Sequence, residues 1–274
     1  MKLKTIIFLA LFSFTATAAY ANISITCSLF PVYDFAREIA GDLADVKLLL
    51  KPGTEPHEYE PSPLDIKALN DSDVFIFTGK SMEHWAERIS ATLTDTAIID
   101  ASDGIETVNG DPHIWLDLSL AQRMVLNIAR GLCTADPENS GRYMHNAEMY
   151  CAKLGELDAK FAGLRYDEPL VFGGEFSCGY FVRRYGIDYI SAYDGENEPS
   201  VRRLAEVLKF IRENGTKYIL AEPLGISAVT RSISDQTGAE ILAFDTAHVI
   251  SDDSKTFLGI MNDNYTSITR ALND

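Results

Sequence analysis

The sequence predicts an α/β protein with two lobes, each a mostly parallel sheet flanked by helices, joined by one long backbone helix. Short apolar runs alternate with helical patterns up to about residue 135, and the same alternation returns from about residue 169. Because strands that alternate with helices form parallel sheets, each half of the chain predicts its own sheet. One continuous apolar stripe lies between the halves, and we interpret it as the joining helix.

The first 21 residues have the pattern of an export signal. Two lysines precede an apolar run, and small residues then lead to the sequence Ala19-Tyr20-Ala21. This pattern predicts a signal peptide over residues 1–21 that is cleaved after Ala21. Since no later stretch is apolar over the ~18 residues that a membrane span needs, we expect a soluble protein in the periplasm.

The charge and length of the chain limit its partners and its organisation. The 274 residues carry a net charge of −16, and loss of the signal peptide removes two lysines and no acid. An acidic protein repels phosphate backbones, which excludes nucleic acid as a partner. The length suffices for two moderate domains. We predict an N-terminal lobe over residues 22–135, a linking helix over 136–165 and a C-terminal lobe over 166–274.

Each lobe is predicted to contain alternating strands and helices. The N-terminal strand-like runs are Ile23–Phe30, Val46–Leu50, Val74–Phe77 and Ala97–Ile99, with helical patterns near Val32, Pro63, Glu83 and Ser119. The C-terminal runs are Leu170–Phe172, Tyr189–Ile190, Tyr218–Leu220 and Ile241–Phe244, with helical patterns near Phe176, Pro199 and Ser227 and from Asp253 to Leu272. The segment Asp45–Leu50 is largely aliphatic, which favours a strand buried within its sheet.

The linking helix is predicted from an apolar stripe that recurs at alternating steps of four and three residues. The stripe consists of Tyr143, Ala147, Tyr150, Leu154, Leu157, Phe161 and Leu164. With Pro137 in its first turn, a helix of about 28 residues would be ~40 Å long and could cross both lobes. A dimerising coiled coil is the alternative, but the stripe lacks sustained charged flanks, so we predict an internal helix and a monomer.

His57 lies in a loop whose sequence makes it stiff. The segment Lys51–Pro63 contains four prolines and one glycine, which prevent a helix and restrict the backbone. The zincin motif H-E-x-x-H is excluded, because Pro61 occupies the position of its second histidine.

His113 lies in a comparable setting, between Pro112 and the start of a predicted helix. In open α/β sheets ligands bind at the carboxyl ends of strands, where His57 is also predicted to lie. Two histidines held in this way favour a metal site. The remaining candidates are weaker, because His84 and His145 have the pattern of surface residues.

Five groups of residues, spread over nearly the whole mature chain, are typical of one family. They are Tyr33–Gly41, Pro52–Pro63, Asp111–Asp117, Tyr180–Gly186, and Glu198–Ser200 with Ile219–Pro223. Through them the chain resembles the solute-binding proteins of metal-uptake ABC transporters, in the zinc and manganese group whose lobes are joined by one long helix. The resemblance implies capture of a divalent transition metal and its delivery to a membrane permease, without catalysis.

The same resemblance implies four metal ligands, two from each lobe. His57 and His113 match the N-terminal pair, Glu175 stands five residues before Tyr180, and Asp245 follows the last strand. Both acids follow apolar runs, so the strand-end rule directs all four residues to one cleft between the lobes.

The chain departs from the family pattern near the C-terminal ligands. Two glycines precede Glu175, and His248 lies three residues after Asp245. Whether His248 or Cys178 joins the metal shell stays open. The four cysteines allow three full pairings, and their spacing selects none.

Two arguments bear on which metal binds. Carboxylate ligands favour manganese, whereas the intrinsic order of affinities and the nitrogen of His248 favour zinc, which we predict with manganese next.

Two other functions are alternatives to metal uptake. A secreted metalloenzyme is disfavoured, because four protein ligands fill the coordination shell, whereas a catalytic metal needs an open position. A metal-dependent adhesin would differ only in its partner.

Overall fold

The computed structural model describes residues 22–174, 177–193, 199–250 and 254–273. In the N-terminal half the strands are β1 (Ile23–Cys27), β2 (Ala44–Leu48), β3 (Val74–Phe77) and β4 (Ala97–Asp100), and the helices are α1 (Phe30–Ala40), α2 (Pro63–Asn70), α3 (Ala86–Ser90) and α4 (Leu118–Ala135). The strands form a parallel sheet in the order β2-β1-β3-β4. This half confirms the predicted parallel sheet flanked by helices.

The long helix α5 (Ser140–Ala162) follows a single 3₁₀ turn at Pro137–Asn139. At 1.5 Å per residue its length is about 35 Å. Its buried residues are Tyr143, Ala147, Tyr150, Leu154, Leu157 and Phe161. These are six of the seven stripe residues, so the prediction of an internal helix is confirmed, and Leu164 lies just beyond the helix.

The C-terminal half repeats the arrangement of the first. Its strands are β5 (Leu170–Phe172), β6 (Tyr189–Ser191), β7 (Tyr218–Ala221) and β8 (Glu240–Ala243), and its helices are α6 (Gly179–Tyr185), α7 (Val201–Asn214), α8 (Ala228–Thr237) and α9 (Phe257–Asn273). The strands are parallel in the order β6-β5-β7-β8. The two sheets therefore share one topology, in which the second strand lies at an edge.

The position of β2 corrects one prediction. The aliphatic run was predicted to form a buried strand, but β2 lies at the edge of its sheet and its side chains are half-buried and exposed in alternation. Asp45 and Lys47 form an ion pair of 3.0 Å. Leu49 and Leu50 follow the strand, and Leu50 is buried in the core. The prediction was wrong because part of the aliphatic run belongs to the loop after the strand.

One apolar core joins the two halves. The Phe35 ring of α1 lies 5.0 Å from the Phe257 ring of α9 and 5.9 Å from the Tyr150 ring of α5. Beneath them, the buried carboxylate of Asp34 accepts hydrogen bonds from the Phe257 amide and the Tyr150 hydroxyl. Elements from both halves thus meet at one point on the long helix. The domain limits at residues 135 and 165 stay a prediction.

Two further findings concern the described part of the chain. All four cysteines are free thiols, two of them buried, so the structure contains none of the pairings that the sequence left open. Across the described ranges, no helix combines the length and apolar character needed to cross a membrane.

Candidate metal centre

Three histidines from three different loops lie side by side between the lobes. His57 is in the loop between β2 and α2, His113 precedes α4, and His248 is in the loop after β8. The ring centroids are 5.3 Å apart for His57 and His113, 6.2 Å for His57 and His248, and 5.9 Å for His113 and His248. The structure therefore brings together the two predicted histidines and a third from the opposite lobe.

His113 is the histidine whose surroundings fit a metal most directly. Its Nδ1 lies 2.9 Å from a carboxylate oxygen of Asp111, which makes Nδ1 the donor and leaves the lone pair on Nε2. That Nε2 is buried and has no hydrogen-bond partner. Burial lowers the pKa of His113 despite the nearby Asp111 carboxylate, so the ring is neutral near pH 7. A buried, neutral nitrogen without a partner has the chemistry of a metal ligand.

Replacing Asp111 by alanine is expected to weaken zinc binding by about 10- to 100-fold, because the His113 ring then loses the bond that fixes its orientation. The measurement is a zinc titration by calorimetry with the folded variant. Asp95→Ala, an exposed aspartate, is the control and should bind as the unchanged protein does. Equal affinities for the two variants would show that Asp111 does not orient His113.

The His57 side chain is exposed, but its backbone is held. The backbone amide of His57 donates to the Glu55 carboxylate over 3.1 Å, and the buried Pro56 lies between them. The prolines of the loop restrict the remaining backbone angles. The His57 ring is thus exposed, while the backbone that carries it is restricted by the prolines and by the bond to Glu55.

His248 is oriented by polar groups on both sides of its ring. Its Nδ1 is hydrogen-bonded to the Thr246 hydroxyl, which also donates to the Glu222 carboxylate. Its Nε2 lies 3.8 Å from a carboxylate oxygen of Glu55. Burial alone would lower the pKa of His248, but Glu55, Glu222 and Asp245 outweigh burial and raise it. The interaction with His248 in turn lowers the pKa of Glu55 to about 2.

The loop that carries His248 has a strained backbone and a contact to the other lobe. Ala247 has a φ of +61°, which is uncommon for a residue with a side chain. Asp245 supports this turn by accepting a hydrogen bond of 2.9 Å from the Ala247 amide. The Trp115 indole donates to the Thr246 carbonyl over 2.7 Å. The loop is thereby tied to the segment that carries His113.

Asp245 lies in the same loop but has partners of its own. Its side chain is buried and forms an ion pair of 3.1 Å with Lys255, and it raises the pKa of His248 through its charge. Glu175 lies outside the described residues. Of the two predicted acids, the structure places Asp245 near His248, and this carboxylate already forms an ion pair with Lys255. Sequence reasoning did not commit to His248, whose signal was its position three residues after Asp245.

The side chains of the described residues are not arranged to coordinate a metal ion. Within the ranges given above, no three His, Cys, Asp or Glu side chains are positioned to hold an ion as they stand. The three imidazoles are neighbours, and binding requires adjustment of their side chains. Cys178 is buried, and burial together with the Glu222 and Asp111 charges raises the pKa of its thiol, which disfavours the thiolate that a metal needs.

A cavity of about 680 Å³ lies beside His248. Glu55 lines it from the N-terminal lobe, and Glu222 and Thr230 of α8 line it from the C-terminal lobe. Burial raises the pKa of Glu222, although His248 and Thr246 act in the opposite direction. The cavity gives the histidine cluster an acidic approach between the lobes.

The chain matches one protein-family model over most of its length. The model described as "Zinc-uptake complex component A periplasmic", ZnuA, matches residues 25–271. The chain belongs to the ZnuA family. This membership confirms the resemblance to metal-uptake binding proteins. ZnuA-family relatives are binding proteins of transport systems and not enzymes, as the sequence predicted.

Individual members of the ZnuA family resemble the chain over most of its length. The high-affinity zinc uptake system protein ZnuA of Bacillus subtilis (strain 168) is 26% identical over 280 residues, which cover 92% of this chain and 88% of that protein. The zinc-binding protein AdcA of Streptococcus pyogenes serotype M3 is 29% identical over 256 residues. These cover 81% of this chain and 50% of AdcA, so the chain spans about half of that relative.

Solved structures confirm the ZnuA-like fold. The Zn(II)-bound ZnuA-like domain of Streptococcus pneumoniae AdcA matches with a TM-score of 0.80 and 27% identity, covering 93% of this chain and 100% of that domain. The laminin-binding protein Lmb of Streptococcus agalactiae, described as a bifunctional protein with adhesin and metal transporting activity, matches with a TM-score of 0.82 and 27% identity. That match covers 92% of this chain and 100% of Lmb.

Proposed function

We propose that the protein captures one zinc ion between its lobes and delivers it to the membrane permease of an ABC transporter. The observation that carries the proposal is the cluster of His57, His113 and His248, in which a buried Nε2 of His113 lacks a partner. Neutral imidazoles are good zinc ligands, with Zn–N distances of about 2.0–2.1 Å. Membership of the ZnuA family supports the same assignment.

The fourth ligand is a carboxylate in this proposal. Asp245 is the described candidate, because it lies in the loop of His248 and acts on that ring through its charge. Glu175 remains a prediction from the family resemblance. Three imidazoles and one carboxylate would fill a tetrahedral shell and leave no open position for a catalytic water.

Zinc is favoured over manganese by the chemistry of the donors. Three nitrogen ligands make a softer site than the predicted pair of histidines with two acids, and manganese prefers oxygen ligands. Zinc also binds more tightly than manganese to most sites of this type. The names of the relatives support zinc as well, since those of B. subtilis and S. pyogenes are described as zinc uptake and zinc-binding proteins.

The cellular setting of the proposal follows from the N-terminal sequence and the family. A signal peptide cleaved after Ala21 would release the mature chain as a monomer into the periplasm, where the ZnuA family description places its members. The partner would be a permease, because the family description names a component of an uptake complex.

Adhesion is a second candidate function. The observation that favours it is the similarity to Lmb, whose description combines adhesin and metal transporting activity. Binding of the purified protein to immobilised laminin, with and without zinc, tests this function. If the protein is an adhesin, its binding to laminin should be saturable. If no saturable binding is measured, adhesion is ruled out and metal capture is the function that stands.

Zinc titration by calorimetry tests the proposal and its pH dependence. We expect one zinc ion per chain and weaker binding as pH falls, because a ligating imidazole must be neutral. The pKa of His248 is raised above its usual 6.5, so protons compete with zinc there at a higher pH than at an ordinary histidine. Below that pKa, His248 alone weakens binding by about tenfold per pH unit. A constant affinity from about pH 8 to pH 5 would contradict imidazole ligation.

A further inference from the structure

The ammonium group of Lys255 forms an ion pair with the carboxylate of Asp245. The two groups lie 3.1 Å apart, and the Asp245 side chain is only 9% exposed while that of Lys255 is 35% exposed. The other Asp245 oxygen accepts the Ala247 amide over 2.9 Å. Both oxygens of this buried carboxylate therefore have partners in the described structure.

The backbone around Asp245 is fixed, so the carboxylate cannot easily leave the site. The buried Asn264 side chain accepts from the Asp245 amide and donates to the Asp245 carbonyl, each over 2.8 Å. Lys255, in contrast, lies on the segment before α9, and a flexible four-carbon chain joins its ammonium group to the backbone. Of the two partners, the lysine is the one that can move.

We propose that Lys255 is an internal competitor of the metal: its ammonium neutralises Asp245 in the metal-free protein and is displaced when the ion enters. The inference rests on the proposed function and adds a specific residue to it. A positive charge beside the site opposes a dication, and a carboxylate shared with an ammonium is a weaker donor to the metal. Lys255 thereby lowers the affinity of the site and makes release of the ion easier.

The first test compares zinc affinity in four proteins: the unchanged chain, Lys255→Met, Asp245→Asn and the double variant. We expect Lys255→Met to bind zinc at least about tenfold more tightly, since the ion then no longer has to displace an ammonium group from the Asp245 carboxylate. In the Asp245→Asn background the same change should have a much smaller effect. Asparagine retains an oxygen that can accept the Ala247 amide, so the turn is preserved.

Two controls separate competition from other effects. Lys209→Met removes the same charge from an exposed pair on α7, where Lys209 lies 3.8 Å from Glu213, and should not alter zinc affinity. Lys255→Arg keeps the charge and should bind close to the unchanged protein. An unchanged or weaker affinity in Lys255→Met, or an equal gain in both Asp245 backgrounds, would overturn the proposal.

A second measurement follows Lys255 itself. Amine acetylation of the whole protein, quantified by mass spectrometry with and without zinc, should show faster modification of Lys255 when zinc is bound and no change at Lys209. A rate at Lys255 that is unchanged or slower with zinc contradicts displacement. If the unchanged protein and all variants fail to bind zinc, the proposed function fails. Zinc binding without any effect of Lys255→Met overturns only this inference.

Discussion

Replacing His248 by alanine is expected to weaken zinc binding by at least about 100-fold, more than the loss of an outer partner such as Asp111 causes. The reason is that His248 is the described imidazole contributed by the C-terminal lobe, so its loss removes the nitrogen that joins the lobes across the ion. The same loss is expected for His57→Ala and His113→Ala. Calorimetric titration with zinc measures all three variants.

The matched controls are the exposed histidines His84 and His145. Alanine at either position should leave zinc affinity unchanged, because neither ring lies in the cluster. If His248→Ala bound zinc as tightly as His84→Ala, His248 would not be a zinc ligand. The predicted acids would then have to complete the site with His57 and His113.

Replacing Asp34 by alanine is expected to lower the free energy of unfolding by about 2–5 kcal/mol, which is a large share of the stability of a domain. The change leaves the Tyr150 hydroxyl and the Phe257 amide without their shared acceptor in a buried position. Burial raises the pKa of Asp34, although both hydrogen bonds act against this shift. Thermal unfolding followed by circular dichroism measures the effect.

Asp34→Asn is the matched variant for this junction. Both hydrogen bonds end on the same oxygen of Asp34, so an amide oxygen can accept them and the loss of stability should be clearly smaller. Tyr150→Phe removes only one of the two donors and should cost about 1 kcal/mol. A melting temperature for Asp34→Ala equal to that of the unchanged protein would show that the two hydrogen bonds to Asp34 do not stabilise the junction between the lobes.

The fold could be predicted because its signals are local. The strand-like runs of the two lobes are short and bounded by turn residues, and β3 and β5 begin and end where the sequence predicts. The long helix was predictable because its stripe extends over six turns. The edge position of β2 was not, since the order of strands in a sheet depends on contacts between distant segments and not on the composition of one run.

The site could be predicted only in part. The sequence singles out His57 and His113 because prolines close to them in the chain restrict the loops that carry them. The place of His248 depends on the positive φ of Ala247 and on the bond from Trp115 to Thr246, neither of which has a sequence signal. The Lys255 partner of Asp245 lies ten residues further along the chain, and no helical or strand spacing connects the two.

A crystal structure of the zinc-loaded protein, with the ion located by its anomalous scattering, tests the central claim most directly. The account predicts one zinc about 2.0–2.1 Å from a ring nitrogen of each of His57, His113 and His248, with Nε2 as the donor from His113. A zinc ion bound without His113 or His248, or bound away from the cleft between the lobes, would contradict it.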